Sequence, residues 1–316
     1  LQQAVEKVDE SHKDLHEYAC HFMFTQMTAD AGIKKHGQLA VEAPMAEFTQ
    51  LDDLKVFQGK HATDLTKEEK YEALQAINLI KEKRCGKIKG RTVADGRSQR
   101  AKYAKEDITS PTVSNDALMM TFMIDALERR EVATADVPGA YLHADMDDFT
   151  LLKLVGQSVD IMCKTNPEYE QYVTEENGKK VLYLQLLKAL YGCIKSAMLW
   201  YELFSGTLKD MGFVLNPYDP CVANAVIDGK QCTIAWYVDD LKVSHMEKCV
   251  VMSILKNIET KFGGLKITTG RNHTYLGMDI TFKKNGTLEI RMKDYIKEAI
   301  QASKEDVSKG VSTPAN

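Results

Sequence analysis

CTIAWYVDDLKVSH, residues 232–245, sets two adjacent aspartates, Asp239 and Asp240, between two runs of β-forming residues. Thr233 to Val238 form an unbroken apolar, β-branched and aromatic run, and Leu241, Lys242 and Val243 resume a strand. The pattern predicts a β-hairpin with acids at its tip. That tip has no Gly or Asn, the residues that tight hairpin turns favour, and it places two like charges side by side. The chain also carries Asp52-Asp53 and Asp147-Asp148, for which a solvated turn or helix surface is the plain reading. For Asp239-Asp240 the residues alone leave two readings open, a plain turn and a metal-binding turn.

A chain of 316 residues with 44% hydrophobic side chains can bury a substantial core, and its length predicts two or three subdomains sharing a sheet. The net charge of -4 argues against a uniformly basic nucleic-acid coat. Residues 81–105, KEKRCGKIKGRTVADGRSQRAKYAK, nevertheless carry ten Lys or Arg against Glu82 and Asp95. Such a block is a solvated arm or, less commonly, a polyphosphate-binding one, and Gly86, Gly90 and Gly96 predict turns that bring backbone N–H groups to an anion. Seven cysteines with no C-x-x-C pair argue against a disulfide framework or zinc ribbon and predict a reducing, intracellular setting. His12 and His16 stand four apart on a predicted helix but lack the glutamate of a zincin motif. ALMMTFMIDAL, residues 117–127, is too short to span a bilayer and predicts a buried helix. The opening LQQAVEKVDE, without Met, and the close VSTPAN predict a piece of a longer polypeptide.

Thr66 followed by Glu69 is a capping box, and Tyr71, Leu74, Ile77 and Ile80 predict one helix running to Gly86. Ser114 to Asp116 open a second helix that ends at Glu128 to Arg130. Val132 to Asp136 read as a short buried strand whose terminal acid needs a cation, a partner or water. A strand, a turn at Gly192 and a helix to Gly212 follow, with Trp200, Tyr201 and Phe204 as core residues. Asp228-Gly229 turns a hairpin into the aspartate strand, a helix closes at Gly263-Gly264, and Asn285-Gly286 turns a last hairpin before a final helix. The order β-α-ββ-α-β is close to a split βαβ, in which the strand of Asp136 lies beside the hairpin of Asp239 and Asp240. Three carboxylates gathered there repel one another unless divalent cations neutralise them. Hard oxygen ligands with open positions suit Mg²⁺, and a pair of such ions serves in-line phosphoryl transfer.

YVDD, DVPGAYLHADM, LLKALYGCIKSAMLWY, YDPCVAN, HTYLGMDI and GRTVADGRSQR with SPTVSNDALM occur in an order that resembles a copia-type LTR-retrotransposon reverse transcriptase, from about residue 65 to about 314. The resemblance implies an α+β, right-hand polymerase fold. Residues 1–64 would be an N-terminal extension and the start of the fingers, and 65–131 the fingers. Residues 132–282 would form a split-βαβ palm with an antiparallel sheet and a fingers insertion around 150–195. Residues 283–316 would hold the end of the primer-grip hairpin and a truncated thumb. It further implies RNA-directed DNA synthesis from dNTPs, with Asp136, Asp239 and Asp240 and the Val137 carbonyl holding two Mg²⁺ ions, Mn²⁺ being the alternative metal. By the same resemblance Tyr141 is the aromatic gate against a 2′-hydroxyl, and Arg91, aided by Lys87 or Lys89, clamps the triphosphate. Tyr191 and Gly192 form the turn under template and nucleotide, and Tyr275, Leu276 and Gly277 grip the primer. The implied partners are an RNA template, a DNA primer, dNTPs and the ribonuclease H and integrase segments of one polyprotein, in a cytoplasmic virus-like particle or the nucleus, with no membrane. Cys193 to Met198 depart from the family's usual L-K-Q-A-P-R, which puts the template grip in doubt. The competing readings are a catalytically silent RNA-binding remnant and a two-metal nuclease.

Overall fold

The structure is a computed structural model that describes residues 26–28, 39–82 and 88–302. Its strands are β1 (Gln26–Thr28), β2 (Phe57–Lys60), β3 (Leu74–Glu82), β4 (Ile88–Ala94), β5 (Glu131–Asp136), β6 (Leu151–Val155), β7 (Thr174–Glu176) and β8 (Lys179–Leu186). Eight more follow: β9 (Val214–Leu215), β10 (Val222–Ile227), β11 (Lys230–Tyr237), β12 (Asp240–His245), β13 (Lys266–Thr269), β14 (Asn272–Tyr275), β15 (Met278–Phe282) and β16 (Leu288–Arg291). The helices are α1 (Leu39–Asp53), α2 (Lys67–Glu72), α3 (Lys105–Ile108), α4 (Asn115–Leu127), α5 (Gln157–Thr165), α6 (Ser196–Asp210), α7 (Lys248–Phe262) and α8 (Lys293–Ala302). The opening segment with His12 and His16, Gly86, Lys87 and the closing VSTPAN lie outside the described residues.

Three sheets form, where a shared one was expected. A seven-stranded sheet runs β1-β3-β6-β8-β2, with β4 on β3 and β7 on β8; a six-stranded sheet runs β13-β5-β12-β11-β10-β9; β14, β15 and β16 make the third. Each large sheet has its own apolar core, one around Phe48, Leu152 and Leu184 and the other around Trp200, Trp236 and Leu255. The chain order β5, α6, β10–β12, α7, β13 is the order read from the sequence, and β5 pairs with β12 antiparallel.

The six-stranded sheet is covered on both faces. Trp236, cross-strand partner of Leu241, packs edge-on against Phe204 of α6. Lys242 falls on the opposite face because side chains alternate along a strand. There it meets Asp125 of α4 in an ion pair with both side chains buried and lies over the Phe122 ring at 5.3 Å. Phe122 also meets Tyr275 and Phe282 edge-on, which joins α4 to the small third sheet.

Two expected helices are corrected. The capping box is real, with Glu69 N donating to Thr66 Oγ1 at 3.1 Å and Thr66 N to Glu69 Oε2 at 2.7 Å, but α2 ends at Glu72. Residues 74–82 are strand because Leu74, Ala76, Asn78 and Ile80 share a face at the two-residue period, Tyr71 being 91% exposed, and the β4 ladder runs along Ala76 to Glu82. The expected buried helix α4 buries Leu118, Phe122 and Ala126 but exposes Met120, Met123 and Leu127, since only one side of it meets the sheet. Among the described residues the five cysteines are free, and no helix is long and apolar enough to cross a membrane.

Candidate active site

Val238 and Asp239 are the two residues between β11 and β12, and Val238 has φ +54. A β-branched residue in the left-handed region is strained and persists only where its surroundings hold it. Three consecutive carbonyls of this turn are held: Trp200 Nε1 donates to Val238 O at 2.8 Å, Val137 N to Asp239 O at 2.9 Å, and Tyr275 Oη to Asp240 O at 3.0 Å. The sequence marks Trp200 as a core aromatic only, since no local signal distinguishes its indole donor from that of any buried Trp. The resemblance implies a primer contact for Tyr275, but its side chain is turned inward at 3% exposure. Leu276 and Gly277 occupy the β14–β15 turn with φ +49 and +77, the hairpin that the family resemblance implies there.

The register pairs Asp240 with Asp136, and on the other side of Asp136 the register partner is Lys266 of β13. Carboxylates a hundred residues apart therefore stand on adjacent strands with Asp239 beside them. Burial, then Asp239 and Asp136, push the Asp240 carboxyl up to about 6. Asp239 is also raised, first by burial and then by Asp136, with Arg91 and Lys266 opposing. The other doublets differ in kind. Asp52 accepts from Tyr169 Oη at 2.8 Å and Asn166 Nδ2 at 2.9 Å, and Asp147 and Asp148 are ion-paired to Lys195. No ion pair is made to Asp239 or Asp240 among the described residues.

These are hard oxygen donors in an anionic site whose charge Lys266 and Arg91 offset only in part, which is the chemistry that suits Mg²⁺. Asp136 fits with one change. Lys266 Nζ holds its Oδ2 at 2.9 Å, and among the described residues no three acids, histidines or cysteines converge as a finished metal cluster. Lys266 is 74% exposed and can swing away, freeing the carboxylate for a cation.

The remaining side chains come from β4 of the seven-stranded sheet, from the turn after β8 and from the turn after β5. Arg91 on β4 lies over the Tyr191 ring, its Cζ 4.4 Å from the centroid, and Tyr191 meets Tyr141 at 4.8 Å with planes tilted by 39°. Tyr141 sits in the 3₁₀ turn after Gly139, and its hydroxyl is raised first by burial and then by Asp239. Lys89 is two residues before Arg91 on β4 and so faces the same side. The turn of Tyr191 and Gly192 is docked on the end of β4: Ala94 N donates to Tyr191 O at 2.8 Å, and Ile194 N donates to Gln99 Oε1 at 3.0 Å.

Gly90 and Gly96 do not form the anion-cradling turns expected of them. Gly90 lies within β4, where a Cβ would come within 2.5 Å of Ala43 O, and at Gly96 one would come within 2.1 Å of Gly192 O. Both serve close backbone approach. The departure at 193–198 also has a structural meaning, since Lys195 is spent on Asp147 and, at 3.0 Å, Asp148.

Residues 63–316 match the family described as reverse transcriptase (RNA-dependent DNA polymerase). The chain is 24% identical over 230 residues to the retrovirus-related Pol polyprotein from transposon TNT 1-94 of Nicotiana tabacum, covering 72% of the chain and 16% of that protein. It is 23% identical over 272 residues to the transposon Ty1-LR2 Gag-Pol polyprotein of Saccharomyces cerevisiae, covering 84% of the chain and 14% of that protein. A foamy viral protease-reverse transcriptase in complex with double-stranded DNA overlays with a TM-score of 0.41 at 15% identity, over 81% of the chain and 35% of that one. The chain therefore spans about one sixth of the curated relatives' length. It belongs to the reverse transcriptase (RNA-dependent DNA polymerase) family and, within it, to the copia type.

Proposed function

We propose that this chain is the polymerase segment of a retrotransposon polyprotein and extends a DNA primer on an RNA template by two-metal-ion phosphoryl transfer. The observation that carries the reading is the pairing of Asp136 with Asp240 beside Asp239 on a strained turn, with charge left for cations to balance. Asp136, Asp239 and Asp240, with the Val137 carbonyl, would hold two Mg²⁺ ions, Mn²⁺ being the alternative. Once bound, the ions supply Lewis acidity to the attacking and leaving oxygens of the displacement. Arg91, helped by Lys89, grips the triphosphate through a planar fork that matches phosphate geometry. Tyr141, tilted against Tyr191, fills the space that a 2′-hydroxyl would need. In this reading the seven-stranded sheet belongs to the fingers and the six-stranded sheet to the palm, Leu276 and Gly277 face the primer, and α8 begins the thumb. Ribonuclease H and integrase segments of the same polyprotein are the proposed neighbours.

Primer extension on an RNA template with Mg²⁺ and dNTPs tests the reading. Wild type extends the primer and Asp239→Asn loses roughly a thousandfold or more, since charge stabilisation dominates such sites. Equal extension by the two removes the assignment. Tyr141→Ala, in the same assay with ribonucleotides, admits them at least about tenfold better; unchanged discrimination places the gate elsewhere. The silent-remnant reading has the Lys266–Asp136 ion pair in its favour. Absence of extension by wild type would select it.

A further inference from the structure

Helix α1, residues 39–53, lies before the family-matched segment, which begins at residue 63. It packs along β4, the strand of Arg91. Contact is close enough that Gly90 admits no side chain against the Ala43–Pro44 backbone. One acidic residue of this helix reaches the strand: Glu47, half-buried, accepts at Oε1 from Thr92 N at 3.3 Å. Thr92, 1% exposed, donates from Oγ1 to Asn78 Oδ1 at 2.9 Å, and Asn78 Nδ2 donates to Ser158 Oγ at 2.8 Å. A continuous polar bridge thus ties α1, β4, β3 and α5 together directly beside Arg91.

Glu47 is hydrogen-bonded to the backbone of the residue next to Arg91. Its neighbours in electrostatic reach are Lys89 and Arg91, which oppose the rise that burial imposes on its carboxyl. From Arg91 the row continues through the Tyr191 ring at 4.4 Å and the Tyr141 ring at 4.8 Å toward Asp239. A second carboxylate in reach of a guanidinium opposes its collapse onto the first, here Asp239, and a triphosphate then meets a clamp already in place.

We propose that Glu47 is a positioning residue for the Arg91 clamp, so that α1 belongs to the nucleotide-binding machinery rather than to a passive N-terminal extension. The proposal rests on the polymerase reading for the nucleotide, but not for the anion. Two measurements on the full chain separate the failures. In the first, inorganic tripolyphosphate is titrated calorimetrically into wild type, Arg91→Ala, Glu47→Ala and Glu47→Gln. Affinity falls roughly fivefold in Glu47→Ala and by less in Glu47→Gln, which retains an acceptor for Thr92 N. In the second, single-nucleotide incorporation shows KM for the dNTP raised about fivefold in Glu47→Ala with kcat within about twofold, because the residue touches no reacting atom.

Unchanged tripolyphosphate affinity in both Glu47 variants, or a wild type that binds no tripolyphosphate, overturns the proposal. So does a lowered melting temperature with KM and affinity intact, which marks a purely structural brace. Tripolyphosphate binding that depends on Arg91 and Glu47 in a chain without primer extension supports the clamp and defeats the polymerase reading instead.

Discussion

Asp240 holds its proton up to about pH 6 because burial and two neighbouring carboxylates oppose its charge. The sign of the stability effect follows from linkage. A carboxyl whose folded pKa lies above its unfolded value binds protons better in the fold, so in metal-free buffer stability falls as pH rises from about 4 through about 6. Asp240→Asn removes that loss. The variant melts above wild type at pH 8, by on the order of 1 kcal/mol after allowance for partial solvent exposure, and the gap closes near pH 4. Thermal melts in a chelating buffer at the two pH values check this; a variant less stable than wild type at pH 8 contradicts it. Asp239 and Asp240 could be singled out in the sequence because their flanks were legible strands. The Lys266 contact to Asp136 could not, since it depends on β13 lying across β5 in a register that nothing local dictates.

At the scale of elements, the turn at Gly192 is fixed by a backbone approach. A Cβ there would stand 2.0 Å from Ala94 O, and the residue has φ +93. Gly192→Ala therefore costs roughly 3 kcal/mol or more and displaces Tyr191, whereas the same change at Gly229, which meets nothing within 4 Å, costs only its backbone strain of about 1 kcal/mol. Urea midpoints of the two variants decide this; equal losses would show that the close approach has no energetic weight. Elements whose signals are local were legible: the Asp228-Gly229 hairpin has positive φ at both turn residues, and α4 is capped by Ser114, whose Oγ accepts from Ala117 N at 3.2 Å. The stretch from Leu74 to Glu82 was not, because its apolar spacing satisfies helix and strand templates alike and the partner that decides, β4, lies in a block dominated by lysine and arginine. The exposed side of α4 was hidden for a related reason: an apolar run does not say how many of its faces find a neighbour.

For the whole molecule, two sheets with separate cores meet where β4 and the Tyr191 turn approach the end of β5, and the candidate site lies at that meeting. Its acids come from one core and its cation and stacking ring from the other, so the order of motifs predicted the constellation while the division into sheets did not follow from length alone. Within a net charge of -4, Arg91 of the basic 81–105 block lies in electrostatic reach of Asp239. Under the proposed function, acids from β5 and from the β11–β12 turn act as one divalent-cation site. The most direct test counts Mn²⁺ ions bound per chain by electron paramagnetic resonance, with primer–template and a dNTP present. Two ions on wild type and at most one on Asp239→Asn and on Asp136→Asn is the predicted result. Equal occupancy in all three chains would contradict it.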